Sequence, residues 1–221
     1  MKRLFALTAT IALASTAHAG VITQTFTNTF ETTEISQTSS LNLFDNNLGT
    51  LVGATLSLNA SSMTSILLMN RARQPQIVTA TSTVNVDFSS SLAALDSLLA
   101  PGNPIVSLST TTGMQVLPRN VLVTFGPLLS SGSMSLNLAT ILGSLGTNGG
   151  GSFDVGCESL SEFRVSGSGG NLVSGQTSEA RCGGELVYTF EERQPVPEPA
   201  AIALLGLGLT AVGLASRRRA A

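Results

Sequence analysis

The sequence predicts an all-β protein, an antiparallel two-layer β-sandwich with one short helix, flanked by an N-terminal signal peptide and a single C-terminal transmembrane helix. Two observations support the sandwich. Several segments alternate apolar residues with serine or threonine at a period of two, which is typical of strands that bury one face and hydrate the other. Turn-forming sequences, such as Thr147-Asn148-Gly149, separate these segments. A third observation, an apolar run near each end of the chain, predicts the two flanking elements.

The N-terminal segment has the layout of a secretory signal peptide. Lys2 and Arg3 are followed by an apolar run from Leu4 to Ala14 and then by a short polar stretch. Signal peptidase requires small side chains at two positions before its cut, and Ala17 and Ala19 supply them. The sequence therefore predicts a signal peptide over residues 1–19, removed by signal peptidase after export.

Residues 20–193 form the predicted sandwich domain, and their alternation assigns a direction to each side chain. Between Ile77 and Phe88 the valines share one face and the threonines share the other. We therefore expect these side chains in the core: Val78, Val84, Val86, Leu56, Leu58, Leu136 and Val123. We expect these threonines to face away from it: Thr79, Thr81 and Thr83. The same period places Val52 on the inward face.

One helix is predicted in the body. Leu92, Leu95, Leu98 and Leu99 recur at helical spacing, serines precede them, and Pro101 follows. The other alternating segments share no constant repeat length, so a stacked solenoid is the weaker architecture.

The charged residues of the body limit its chemistry. Residues 20–193 contain six arginines and twelve carboxylates, which gives a net charge of −6, and no lysine. This balance gives a nucleic-acid partner almost no electrostatic support. His18 is the only histidine and lies in the predicted signal peptide, which excludes histidine relays and histidine-ligated metals from the mature chain. We therefore predict no enzymatic activity, no metal site and no cofactor.

Two acidic segments leave alternatives open. Asp154, Glu158 and Glu162 lie close in sequence and could imitate the acid and base of a glycosidase, although we expect them to be solvated surface groups. The segment Asp45-Asn46-Asn47 has some features of a calcium loop, but it lacks the spaced acidic residues and terminal Glu of an EF-hand.

Cys157 and Cys182 are the only cysteines. An even count in an exported chain predicts a disulfide between them. The bond closes a loop of about 25 residues and contributes about 3 kcal/mol in the chain-entropy model. The enclosed segment contains a polar, glycine-rich stretch, which we expect the bond to pin.

The C-terminal segment from Pro199 to Ser216 is uncharged and rich in leucine, alanine and glycine. Its 18 residues span about 27 Å as a helix, which is enough to cross the hydrocarbon core of a membrane. Arg217, Arg218 and Arg219 follow directly, and the positive-inside rule assigns them to the cytoplasm as a stop signal. The sequence therefore predicts a transmembrane helix that leaves the body outside.

The order of features in this tail, residues 194–221, resembles the PEP-CTERM sorting signal of Gram-negative bacteria. The motif residues Val196-Pro197-Glu198-Pro199 precede the apolar run, and the arginines end it. The resemblance implies recognition by exosortase, a transpeptidase-like membrane enzyme that cuts near the motif and releases or re-anchors the protein. Prolines at 195, 197 and 199 disfavour a helix there, which suits an extended cleavage site.

The body resembles the choice-of-anchor E family of bacterial surface proteins in its opening ITQTF and in the segment FDNNLGTLVGATLSL. Together these features predict an exported, non-enzymatic protein of the cell surface or extracellular matrix. The alternative is a secreted binding module for a polysaccharide, such as an exopolysaccharide, or for a calcium-bridged partner.

Overall fold

The computed structural model describes residues 19–100, 106–167 and 171–193, together with Gly206, Gly208 and Leu209. These residues form two β-sheets that pack face to face. The strands are β1 (Ala19–Thr27), β2 (Glu31–Thr32), β3 (Ser36–Asp45), β4 (Gly49–Asn70), β5 (Gln76–Ser90), β6 (Val106–Thr111), β7 (Gln115–Leu117), β8 (Leu122–Asn137), β9 (Gly146–Thr147), β10 (Gly151–Gly167) and β11 (Leu172–Glu192). The helices are α1 (Ala93–Leu99) and α2 (Leu142–Leu145), and a single 3₁₀ turn (Ala139–Ile141) precedes α2.

The five-stranded sheet has the order β1-β11-β4-β8, with β2 paired to one part of β11. The six-stranded sheet has the order β6-β5-β10-β3-β9, with β7 paired to the start of β5. The strand pairs are antiparallel except the two-residue pairing of β3 with β9. The structure thus confirms the all-β prediction and the two layers.

The core lies between the two sheets and has two parts. A large apolar cluster includes Leu56, Leu186 and Phe44, and a smaller cluster farther along the strands includes Ile66 and Leu68. Buried hydroxylated side chains on three strands lie between the two clusters: Ser62, Thr64, Ser82 and Ser178. The hydroxyls of Thr64 and Ser178 hydrogen-bond to each other at 2.9 Å. Each hydroxyl therefore has a hydrogen-bond partner although both side chains are buried away from water.

The alternation in the sequence predicted the direction of most strand side chains correctly. Val78, Val84, Val86, Leu56 and Leu58 are buried. Leu136 and Val123, both on the edge strand β8, are half-buried and pack against the two core clusters. The threonines of β5, namely Thr79, Thr81 and Thr83, lie on its opposite face and are half-buried.

Val52 departs from the predicted pattern because the register shifts beside it. Thr189 of β11 pairs with Gly53, whereas the next residue, Phe190, pairs with Leu51. The bulge removes Val52 from the alternation, so its side chain is 46% exposed. Leu51 packs against the core in its place.

Helix α1 confirms the predicted helix. It begins at Ala93 without a side-chain cap on its own N–H groups, but Ser90 Oγ accepts the N–H of Leu92 at 3.1 Å just before it. Leu95 is its buried residue. The 3₁₀ turn and α2, which buries Leu145, were not predicted, because α2 is too short to show a helical period in the sequence.

Within the part of the chain that the structure describes, no helix is long and apolar enough to cross a membrane. The predicted span from Pro199 to Ser216 lies outside the described residues, apart from the helical residues Gly206, Gly208 and Leu209.

Candidate functional site

The disulfide between Cys157 and Cys182 is formed, with 6.6 Å between the two Cα atoms. Cys157 belongs to β10 and Cys182 to β11, so the bond joins the two sheets through the core rather than pinning a loop as expected. Gln37 lies beside it: its Oε1 accepts the backbone N–H of Cys182 at 3.2 Å, and its Nε2 donates to the carbonyl of Thr29 at 2.8 Å. This arrangement stabilises the fold and leaves no free thiol among the described residues.

The three carboxylates of β10 do not form an acid–base pair. Asp154, Glu158 and Glu162 all lie on the exposed face of one strand. Because they are four residues apart, successive side chains are separated by about 13 Å along the strand, which exceeds the separation of glycosidase carboxyl pairs. Glu158 pairs across the strands with Asp87, and Glu162 forms an exposed ion pair with Arg164. These positions favour the solvated-surface interpretation.

The Asp45 carboxylate connects two turns. Its Oδ1 accepts the backbone N–H of Asn47 at 2.9 Å and that of Gly149 at 2.8 Å. These hydrogen bonds, that from Asn47 first, hold the pKa of the Asp45 carboxyl below its usual value. The segment considered as a calcium loop therefore uses its acidic residue to fix the glycine-rich turn around Gly149. Among the described residues, no three His, Cys, Asp or Glu side chains are grouped so that they could share a metal ion.

A surface recess of about 340 Å³ lies on the outer side of the five-stranded sheet, next to β8. Its lining residues are Phe30, Ser61, Leu129, Ser130, Ser131 and Arg181. The guanidinium carbon of Arg181 lies 4.5 Å from the centre of the Phe30 ring, which holds the cation in place by a cation–π contact. A held cation beside several hydroxyl groups can bind a carboxylate or sulfate group. Sequence reasoning missed the recess, because Phe30 and Arg181 are distant in sequence and meet where β2 pairs with β11.

The predicted processing sites lie mostly outside the described residues. This applies to Ala17, to the motif residues Val196, Pro197, Glu198 and Pro199, and to Arg217, Arg218 and Arg219. Ala19, the predicted last residue of the signal peptide, is the first residue of β1 and pairs with Glu191. At the other end, the N–H of Arg193 donates to the carbonyl of Leu48 at 3.2 Å. The hydrogen bonds of the folded body therefore extend to Arg193, three residues before Val196.

Residues 195–219 match the family described as the PEP-CTERM protein-sorting motif. The chain carries a PEP-CTERM sorting motif. The match includes all of the predicted motif residues, Val196 to Pro199, and the three terminal arginines. The PEP-CTERM motif supports export, processing by an exosortase-type membrane enzyme, and delivery to the cell surface. It is confined to the tail, so it shows nothing about the body.

No curated protein matches the chain. Two similar solved structures are those of infectious bursal disease virus, Gx strain, and of T=1 particles derived from infectious bursal virus. The first is 11% identical with a TM-score of 0.19, covering 85% of this chain and 48% of that one. The second is 12% identical with a TM-score of 0.17, covering 80% of this chain and 37% of that one. The chain thus spans less than half the length of either, and at these TM-scores the likeness carries no information about the fold or function of this chain.

Proposed function

We propose that this chain is a non-enzymatic protein of the bacterial cell surface or extracellular matrix. An exosortase-type enzyme recognises its tail, cuts near Pro197-Glu198-Pro199, and releases or re-anchors the body. The chain crosses the inner membrane through its signal peptide and is held by the C-terminal apolar run until it is processed. The observation that carries the proposal is the PEP-CTERM match over residues 195–219.

The body supports a structural role. Its two sheets are joined by a disulfide, which suits an oxidising compartment outside the cytoplasm. The mature chain offers no histidine to act as a general base, and the carboxylates of β10 are spread along an exposed face. The resemblance of the body to the choice-of-anchor E family remains a hypothesis consistent with this role.

The experiment separates recognition of the motif from insertion of the apolar run. The variant Pro197→Ala/Glu198→Ala keeps the apolar run intact, so the chain should still insert and should accumulate uncut in the inner membrane. The variant with Arg217, Arg218 and Arg219 changed to Ser lacks the cytoplasmic stop, so more chain should be secreted uncut. Cell fractionation and the size of the product, in a host that contains exosortase, measure both results.

A matched control is Glu191→Ala/Glu192→Ala, which changes two exposed residues just before the motif and should be processed normally. Normal processing of the Pro197→Ala/Glu198→Ala variant would show that the enzyme does not recognise this motif. The tail would then be an ordinary membrane anchor.

The recess at Arg181 favours a second candidate function, the binding of an acidic polysaccharide. The carboxylate of a uronic acid would bind the guanidinium, and the serine hydroxyls would bind the sugar hydroxyls. In calorimetric titration with polygalacturonate, Arg181→Gln should weaken binding about ten-fold or more. Arg164→Gln removes the same charge from an exposed ion pair outside the recess and should have little effect. Equal affinity of wild type and Arg181→Gln would exclude the recess as the site.

A further inference from the structure

At the end of the sandwich opposite Arg193, three described segments lie together, residues 70–77, 112–122 and 171–173, and we call them the distal tip. Asn70, at the end of β4, is fully buried and holds the segments together. Its Nδ2 donates to the carbonyls of Gln74 at 2.8 Å and Leu117 at 3.0 Å, and its Oδ1 accepts the N–H of Ala72 at 2.8 Å. The N–H of Arg71 donates to the carbonyl of Asn171 at 2.7 Å. The tip is therefore a fixed surface rather than three independent loops.

The distal tip is positively charged, whereas the remainder of the body is negatively charged. It contains Arg71, Arg73 and Arg119, all exposed, and no Asp or Glu. The body as a whole carries six arginines and twelve carboxylates, a net charge of −6; subtracting the tip's +3 leaves −9 on the rest. Three of the body's six arginines are thus concentrated in segments that contain no acidic residue.

The tip also exposes apolar side chains. Of the twelve exposed large hydrophobic residues in the described part of the chain, six belong to the tip: Ile77, Met114, Val116, Val121, Leu122 and Val173. Met114 is 77% exposed and Val116 is 66% exposed. Exposed apolar groups concentrated in one region mark an interaction surface, whereas single ones scattered over a surface need no explanation.

We propose that the distal tip docks on an anionic lipid surface. The three arginines match the charge of anionic headgroups, and the apolar side chains beside them can enter the boundary between headgroups and acyl chains. An acidic polysaccharide would match the charge alone. The tip contains no Phe, Tyr or Trp on which a sugar ring could stack, and it leaves Met114 and Val116 without a use in sugar binding.

The geometry places this surface far from the tail. Strand β11 begins at Leu172 in the tip and ends at Glu192, so its 21 residues separate the tip from Glu192 by about 70 Å. A chain held by its tail in one membrane can therefore reach a second surface with the tip, and this contact requires no cleavage by exosortase.

The test uses the full exported chain reconstituted by its tail into neutral phosphatidylcholine nanodiscs and captured on a sensor through a tag after Ala221. Vesicles of equal parts phosphatidylcholine and phosphatidylglycerol should bind, and vesicles of phosphatidylcholine alone should not. Because each arginine near an anionic surface contributes about a five-fold change in binding, Arg71→Ser/Arg73→Ser should weaken binding about 25-fold. Met114→Ser/Val116→Ser should weaken the binding that remains at high salt, where charge attraction is screened.

The matched control is Arg164→Ser/Arg193→Ser, which removes two exposed arginines outside the tip and should leave vesicle binding unchanged. Circular dichroism of each variant verifies the fold. The proposal is overturned by equal binding of neutral vesicles, by an equal loss in the control variant, or by the absence of vesicle binding. Binding of polygalacturonate that depends on Arg71 and Arg73, without vesicle binding, would assign the tip to an acidic polysaccharide instead.

Discussion

Reduction of the disulfide should lower the stability of the sandwich without changing its strands. Cys157 and Cys182 are 25 residues apart, and in the chain-entropy model a loop of this length contributes about 3–3.5 kcal/mol by restricting the unfolded chain. For a domain of this size, each kcal/mol shifts the midpoint of thermal unfolding by about 2–4 °C. We therefore expect the reduced protein to unfold about 10 °C below the oxidised protein, measured by circular dichroism with and without reductant.

The variant Cys157→Ala/Cys182→Ala separates the cross-link from the packing of the sulfur atoms. Both cysteines are buried in the core, so alanine leaves small cavities and adds about 1 kcal/mol of destabilisation at each site. The variant should be less stable than the reduced wild type, and reductant should have no further effect on it. If oxidised and reduced wild type unfold at the same temperature, the loop-closure reasoning is refuted.

Three further predictions follow from single buried or hydrogen-bonded groups. Burial raises the pKa of Tyr188 to about 12. Because Tyr188 is the only tyrosine, absorbance titration of tyrosinate should show one transition near that pH. The free energy of unfolding should fall as the pH rises above about 10, where the tyrosine of the unfolded chain ionises. The pKa of Asp45 is lowered on folding, so wild type should be more stable than Asp45→Asn above about pH 4 and should lose this advantage as the pH falls further. A difference in stability that does not change with pH would contradict this prediction. Asn70→Ala removes three hydrogen bonds of a fully buried side chain. The free energy of unfolding, measured by urea titration, should fall by at least about 2 kcal/mol. A change near zero would show that the tip does not depend on Asn70.

The extent of the long strands was not evident from the sequence, although their type was. The alternation of Leu56 and Leu58 predicted a strand there, but β4 continues to Asn70. The inward positions after Ala60 are occupied by Ser62 and Thr64, both buried, and polar residues at inward positions hide the apolar period. The buried hydroxyl of Thr64 is satisfied by Ser178, a partner that lies 114 residues away in sequence.

Dependence on partners distant in sequence also explains why the disulfide was predicted but its role in joining the two sheets was not. The number of cysteines and the exported setting determine that Cys157 and Cys182 pair, whereas the assignment of β10 and β11 to different sheets depends on long-range pairing. The recess at Arg181 and the distal tip are likewise assembled from segments distant in sequence. Arg71 and Arg119 are 48 residues apart, and their segments meet through the bridge between Asn70 and Arg119 and the hydrogen bond from Asn70 to Leu117.

The uneven charge of the body bears on how an exported chain is oriented at a membrane. The end from which the chain continues to the sorting motif carries Asp45, Glu191 and Glu192 against a single cation, Arg193. Next to an anionic membrane, repulsion acts on this end and attraction would act only on the tip, each within about 8 Å of the surface at physiological salt. The tip lies about 70 Å along β11 from Glu192, far beyond this range, so a membrane that holds the tail attracts the tip only when the body lies down on it. A body that stands upright keeps the tip free for a second surface.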